Sequence, residues 1–396
     1  MRRTMRWIND STLVRMALCI ALLIVALPSF ARAQEQDVYP LDASGENSVF
    51  EARVVAVLNE RTIRKENGAE QIQQNLKLLA LDGPKAGEEI VYVGISDTVV
   101  EAAGAYGVGD RVIVHANASP EGTVYYVTDF VRRSRLYALA ALFALTVIAI
   151  GRSKGVRSLI GLGASFGIIL FVVLPKILAG GNPLMWALIG ACGILAVIIY
   201  LSEGWNRSSH LAMASVVLSL AVTLLLSMAV AGWTRLTGFA SEETFFLLGV
   251  GSIVDFRGLL LAGMLIGAVG VLDDVIVGQI EAAKQIAEAN PNLPPGRIFS
   301  MAYRVGNAHL GAMVNTLFLT YAGASLPLLL LFSVKQEPFL TFSQVMNNEL
   351  IATEIVRSLV GGIGVALSMP IATYFGAYGM KRASRVPDTS IRSCQQ

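Results

Sequence analysis

Long apolar runs separated by short polar segments fill the chain from residue 136 onward. A helix needs about 20 mostly apolar residues to cross a bilayer. Seven runs approach or exceed that length, at residues 136–150, 156–178, 183–201, 211–232, 258–279, 309–332 and 355–377. The first is short and needs flanking residues to span. The pattern predicts a mainly α fold, a polytopic transmembrane helix bundle of about seven spans.

Residues 34–131 follow a different pattern, with short stretches that alternate apolar and polar positions. Turn sequences such as Asn67-Gly68 and Asp82-Gly83-Pro84 separate these stretches. Alternation with a period of two is typical of half-buried strands, and several short strands with turns favour a small barrel. We expect a small β-barrel-like domain here, OB-like in type, that serves as a binding or docking module.

The N-terminal segment, residues 1–33, begins with a basic region containing Arg2, Arg3, Arg6 and Arg15, followed by a short apolar stretch and by Ala31-Arg32-Ala33. This is the pattern of a secretory signal peptide, and an uncleaved N-terminal anchor is the alternative. Either one carries residues 34–131 across the membrane. The predicted organisation is therefore an extracytoplasmic β domain at 34–131, a transmembrane helical domain at 132–380 and a cytoplasmic tail at 381–396.

Lysine and arginine are distributed unevenly between the two sets of predicted loops, as the positive-inside rule describes. If residues 34–131 lie outside, four such residues follow the first span on the outer side: Lys176, Arg235, Arg257 and Lys335. The inner side has eleven: Arg152, Lys154, Arg157, Arg207, Lys284, Arg297, Arg304, Lys381, Arg382, Arg385 and Arg392. This predicts a multi-pass protein of the cell inner (plasma) membrane with a cytoplasmic C-terminus. The external Arg132, Arg133 and Arg135 disagree with it.

Composition supports a membrane class and excludes several functions. The 396 residues are 54% hydrophobic and 15% charged, and the mean hydropathy is +0.59. A net charge of +2 gives no reason to expect a nucleic-acid partner. Three scattered cysteines and three histidines form no metal motif, so we expect no metal and no cofactor. An aspartyl protease would need carboxylates on two facing helices, which the sequence lacks, so we expect no enzyme activity.

One stretch, residues 259–283, combines an apolar run with two adjacent carboxylates, Asp273 and Asp274. A carboxylate at membrane depth costs several kcal/mol unless it is neutralised, paired or hydrated. Asp274 shares one narrow helical face with four glycines, and Asp273 lies about 100° away. Small residues at such spacing allow close helix packing. We therefore expect Asp274 in a helix–helix interface, packed along Gly263, Gly267, Gly270 and Gly278; a solvated helix end is the alternative.

The sixth and seventh predicted spans contain further polar groups that could complete an ion or proton site. Asn315 needs a partner inside lipid, and His309 is a candidate proton carrier or an interfacial residue. Glu354 and Arg357, at i and i+3, can pair on one helix. Gly311 and Gly361 are expected to allow close helix packing.

These motifs resemble those of the YibE/F family of bacterial polytopic membrane proteins. The resemblance runs from about residue 48 to residue 380. It rests on Gly263-x3-Gly267-x2-Gly270-x2-Asp273-Asp274-Val275, on Gly306-x2-His309-x5-Asn315-Thr316 with Tyr321-Ala322-Gly323-Ala324-Ser325-Leu326-Pro327, and on Glu354-Ile355-Val356-Arg357-x3-Gly361. The family implies a polytopic membrane protein with an N-terminal extracytoplasmic domain, and its biochemical role is not established. Gly278 stands where related sequences often have a small hydroxyl residue.

Two functional hypotheses remain open from the sequence. The first is a permease or ion- or proton-coupled transporter whose substrate is a small ion or solute. The second is a non-transporting membrane scaffold whose external domain binds a protein partner. Both place the chain in the lipid bilayer.

Overall fold

The computed structural model describes residues 48–64, 70–95, 105–119, 122–239, 242–249, 254–334 and 341–381. The predicted signal or anchor at 1–33 and the tail beyond Lys381 lie outside the described residues. The chain divides after Arg152 into two compact units, which we describe separately.

The first unit contains a five-stranded antiparallel sheet in the order β3-β2-β1-β4-β5. Alternating side chains point into one core; Glu89–Val93, for example, alternates exposed and buried positions. This confirms the small N-terminal β structure predicted from the period-two pattern. The strands are β1 (Ser48–Arg64), β2 (Glu70–Ala80), β3 (Glu89–Val93), β4 (Arg111–Ser119) and β5 (Gly122–Phe130).

The sheet is strongly curved. The long strand β1 pairs with both β2 and β4, and its register with β2 shifts between Val54 and Ala56 and again between Val57 and Asn59. Such bulges bend a strand. The curvature brings β3 towards β5, the direction expected for a small barrel. Buried apolar residues such as Leu76 and Val112 fill the core.

The first helix begins at Arg133, and ion pairs hold its start to the sheet. Arg133 pairs with Glu51 of β1 at 2.8 Å, and Arg132 pairs with Asp129 of β5. These two arginines belong to the group that disagreed with the predicted orientation. Acidic side chains of the β domain therefore balance two of the three charges.

Helices make up the rest of the described chain. A π-helical turn at Ile169–Val173 joins the first two. The helices are α1 (Arg133–Ile168), α2 (Leu174–Leu178), α3 (Pro183–Glu203), α4 (Arg207–Trp233), α5 (Glu242–Gly249), α6 (Phe256–Ala289), α7 (Pro295–Ala324), α8 (Leu326–Val334), α9 (Phe342–Asn347) and α10 (Glu349–Lys381).

Helices α6 and α10 form the centre of the second unit. Helix α6 packs against α3, α4, α7 and α10, and α10 also packs against α4 and α7. Half of the most apolar window of each is buried, against 11% for the α1–α2 segment. The main core joins buried residues of α3, α4, α6 and α10, including Leu195, Leu220, Leu272 and Ala372.

Five helical segments in the described part of the chain are long and apolar enough to cross a membrane, so the predicted count of seven is not confirmed. They are Arg133–Leu178, Pro183–Glu203, Arg207–Trp233, Phe256–Ala289 and Glu349–Met380. The runs 136–150 and 156–178 fall in the first segment, interrupted at Arg152, whose backbone is left-handed (φ 48°). The run 309–332 is divided at Ser325 between α7 and α8. A hydropathy pattern does not reveal such interruptions or fusions, because they depend on backbone angles.

Helix α7 nevertheless runs antiparallel along α6. Its Ala302 packs with Ala283 near one end, and its Tyr321 lies beside Gly267 towards the other. The Pro- and Gly-rich segment 290–296 turns the chain between them, as its composition predicts.

Candidate functional site

The glycine stripe of α6 does not lie where the sequence predicted. Gly263, Gly267, Gly270, Asp274 and Gly278 are all exposed, and three of them (Gly263, Gly270, Gly278) have no atom near the position a Cβ would occupy. Among the residues that the structure describes, therefore, the stripe is not a helix–helix contact, and Asp274 is not packed into one.

The side of α6 that packs is the one with larger apolar residues. Leu265, Leu272 and Ile276 are fully buried in the core shared with α3 and α4. Burying these side chains removes more apolar surface from water than burying glycines does. Gly267 is the one stripe member with a close neighbour, since its Cβ would lie 2.6 Å from the Tyr321 hydroxyl.

The structure favours Asp273 over Asp274 as the constrained carboxylate. Asp273 is half-buried, and its Oδ1 is buried without a hydrogen-bond partner among the described residues. It borders an open cavity of about 230 Å³ between α3 and α6. The lining of this cavity, which we call the α3–α6 cleft, comprises Ile198, Ile199, Ser202, Glu203, Asp273, Asp274, Val277 and Gly278.

The α3–α6 cleft is strongly acidic. Three of its side chains are carboxylates, Glu203, Asp273 and Asp274, and none is basic. Nearby like charges disfavour simultaneous ionisation, and burial disfavours the charged form further. Further along α6, beyond the cleft, Lys284 is already paired with Glu281 at 3.0 Å. A proton or a bound cation would relieve the repulsion in the cleft.

The cleft lies at the end of α3 and near the middle of α6. Glu203 is the last residue of α3. Close by, Tyr200 stacks on Trp205 with ring centroids 4.6 Å apart, and the Tyr200 hydroxyl lies 2.9 Å from His210 Nδ1. Such aromatic clusters are typical of the membrane–water interface. Helix α6 continues for 15 residues beyond Asp274 to Ala289, so the two aspartates are not at the end of their own helix. The open cleft and the neighbouring aromatic cluster instead favour access of water from the end of α3.

The polar residues predicted on α7 are not brought to the aspartates. Asn315 and His309 are exposed, and neither borders the α3–α6 cleft. Gly311 has open space around it. Asn315 and His309 therefore do not complete a site with the aspartates among the described residues, because the inward face of α7 is formed by residues such as Gly306 and Leu317.

The predicted pair on α10 is present. Arg357 Nη1 donates to Glu354 Oε1 at 2.7 Å, and the two side chains are 27% and 23% exposed. The Arg357 Nε is buried and has no partner in the described part of the chain. Next to this region Gly361 packs closely, since its Cβ would lie 3.2 Å from Leu317 of α7.

A buried amide joins three helices at the level of α6 beyond the cleft. Gln279 is 5% exposed, and Thr373 of α10 donates its hydroxyl to the Met369 carbonyl at 2.7 Å. The Gln279 amide then satisfies its neighbours when its nitrogen donates to Thr373 Oγ1 (2.9 Å) and the Ala302 carbonyl (3.1 Å) and its oxygen accepts from the Gly306 N–H (3.3 Å). We call Gln279, Thr373, Ala302 and Gly306 the Gln279 lock. The sequence did not indicate it, although Gly306 belongs to a motif quoted above.

A column of hydroxyl residues on α4 was also missed. Ser215, Ser219, Thr223 and Ser227 are all buried. Helix α10 approaches Thr223 closely at Gly364, since a Cβ on Gly364 would lie 2.6 Å from the Thr223 Oγ1. The spacing of four residues is the signal that could have identified this face.

Comparison with known proteins supports the family seen in the motifs. The family model described as YibE/F-like protein matches residues 139–382. Comparison with curated proteins and with solved structures gave no significant match.

Proposed function

The chain belongs to the YibE/F-like protein family, its apolar helices agree with this in indicating an integral membrane protein, and we propose that it is a permease coupled to a proton or a small cation. The coupling site that we propose is Asp273, in the α3–α6 cleft.

The observation that carries this proposal is the environment of Asp273. A carboxyl oxygen buried without a partner among the described residues is unfavourable when charged. Glu203 and Asp274 add like charges to the same cleft. Binding a proton or cation there removes this penalty, and releasing it restores the penalty. A group with two such states can couple movement of an ion to a change in helix packing.

The test is uptake of a panel of cations into proteoliposomes that hold the full-length chain, with and without a proton gradient. Asp273→Asn keeps the size and hydrogen-bonding capacity of the side chain but removes its charge. We expect this variant to abolish coupled uptake while it inserts and purifies normally. Glu288→Gln is the matched control because Glu288 is exposed on the same helix and does not border the cleft, and it should retain most of the uptake. Equal effects of the two changes would contradict the assignment of Asp273.

We infer that the chain is not an enzyme and that it lies in the inner membrane with the β domain outside. The basic residues Arg207, Lys284 and Arg297 support this orientation. They lie near helix ends on the side of the membrane where α10 ends. A non-transporting scaffold is the second candidate. The uncovered face around Gly263 and Gly270 favours it, because such a face allows another membrane helix to approach.

A further inference from the structure

A second cavity lies at the opposite end of the same pair of helices. Its volume is about 250 Å³, and it is bordered by the start of α3, the start of α6 and Met228 of α4. Asn182 and Leu184 contribute from the α3 end, and Asp255, Arg257, Gly258 and Leu261 from the α6 end. We call it the entry cavity.

The entry cavity and the α3–α6 cleft are aligned along one seam. In each helix, the residues at the N-terminal end border the entry cavity and residues further along the helix border the cleft. Helices α3 and α6 therefore run parallel. Fifteen residues of α6 separate Gly258 from Asp273, which at 1.5 Å per residue is about 22 Å. That distance is a large part of the roughly 30 Å hydrocarbon thickness of a bilayer.

Between the two cavities the seam is closed by apolar residues. Ala187, Ala191 and Leu195 of α3 and Leu265, Ala268 and Leu272 of α6 are at most 2% exposed and belong to one core cluster. We call these six residues the plug. Five of the side chains that border the two cavities carry charge: Asp255 and Arg257 at the entry cavity, and Glu203, Asp273 and Asp274 at the cleft. A path closed in the middle and polar at both ends is the arrangement that alternating access requires.

We propose that the transported cation or proton moves along the α3–α6 seam, from the entry cavity through the plug to Asp273. The inference rests on the proposed function and adds its route. In the observed conformation the plug is closed, and Asp273 faces the cleft side alone. Transport then requires α3 and α6 to separate at the plug, where three of the six residues are alanines with little side chain to disengage.

The route is tested with single cysteines in the full-length chain, in which the native cysteines are replaced by alanine and uptake is verified. Ser202→Cys reports on the α3–α6 cleft, Met228→Cys on the entry cavity and Ala191→Cys on the plug. Ile189→Cys is the control, because Ile189 is on α3 but is 49% exposed and borders neither cavity. Each variant is treated with a membrane-impermeant thiol reagent from one side of the membrane at a time.

We expect Ser202→Cys and Met228→Cys to react from opposite sides, and Ala191→Cys to react about tenfold more slowly than either, because a buried thiol is inert. Attaching a bulky group at Ser202→Cys or Met228→Cys should stop uptake, whereas a membrane-permeant reagent at Ile189→Cys should not. Reaction of Ser202→Cys and Met228→Cys from the same side, or of Ala191→Cys as fast as both, would overturn the route.

The uptake measurement separates this inference from the proposed function. Uptake that depends on Asp273 but continues after labelling at both cavities would refute the seam and leave the coupling site standing. If the unmodified chain takes up no cation and moves no protons, both proposals fail together.

Discussion

Replacing Gly306 by alanine should destabilise the helical unit through the Gln279 lock. A Cβ at this position would lie 2.7 Å from the Cδ of Gln279, well inside van der Waals contact. Gln279 is 5% exposed and enclosed by α7 and α10, so its amide cannot move into solvent. The substitution therefore forces the amide out of its hydrogen-bonding position.

Three contributions give the magnitude. Overpacking a filled site costs about 2 kcal/mol. Loss of the hydrogen bonds to Thr373 and Ala302 costs about 1 kcal/mol each. Alanine recovers about 1 kcal/mol over glycine inside a helix. The net loss is about 3 kcal/mol, which for a unit of this size corresponds to a fall of about 10 °C in melting temperature.

The assay is thermal unfolding of the purified chain in detergent, compared with Gly311→Ala. Gly311 lies on the same helix and has no atom within 4 Å of a Cβ position, so alanine there should be neutral or stabilise by up to about 1 kcal/mol. A double variant with Gln279→Ala supplies space for the new methyl group, so Gly306→Ala should cost less in that background. Equal melting temperatures for the two glycine variants, or strictly additive effects in the double variant, would refute the reasoning.

The remaining predictions concern the β domain and the membrane orientation. The hydrogen bond from Arg132 holds the pKa of the Asp129 carboxyl below its usual 3.8. A carboxyl whose pKa is lower in the folded state than in the unfolded state stabilises the fold at pH values above the unfolded-state pKa. This stabilisation is lost as the pH falls through the folded-state pKa. An NMR titration should therefore show Asp129 below its usual value, and Arg132→Gln should raise it towards 3.8; an unchanged titration would contradict the pair. For orientation, a reporter fused after Gln396 should be cytoplasmic and one inserted near Asn67 extracytoplasmic, and the reverse at both sites would overturn the assignment.

The sequence alone determined the class of structure. Apolar runs located all five helical segments that qualify as spans, because burying that much apolar surface has few solutions other than a bilayer. Period-two alternation placed a small β structure within residues 34–131, since strand side chains point to opposite faces. The Glu354–Arg357 pair was also predictable, because both residues lie on one helix at a fixed spacing. Local geometry suffices for each of these.

Only the tertiary structure decided which faces of the helices are covered. A helical wheel groups Gly263, Gly270 and Asp274 on one side of α6, but it does not state which side meets a neighbouring helix. That choice depends on the competing burial of Leu265 and Leu272 against helices distant in the sequence. The same long-range packing brings Gln279 of α6 to Thr373, 94 residues away, and places Glu203 beside Asp273. For this reason the candidate site moved from Asp274 to Asp273, by one residue and about 100° around the helix.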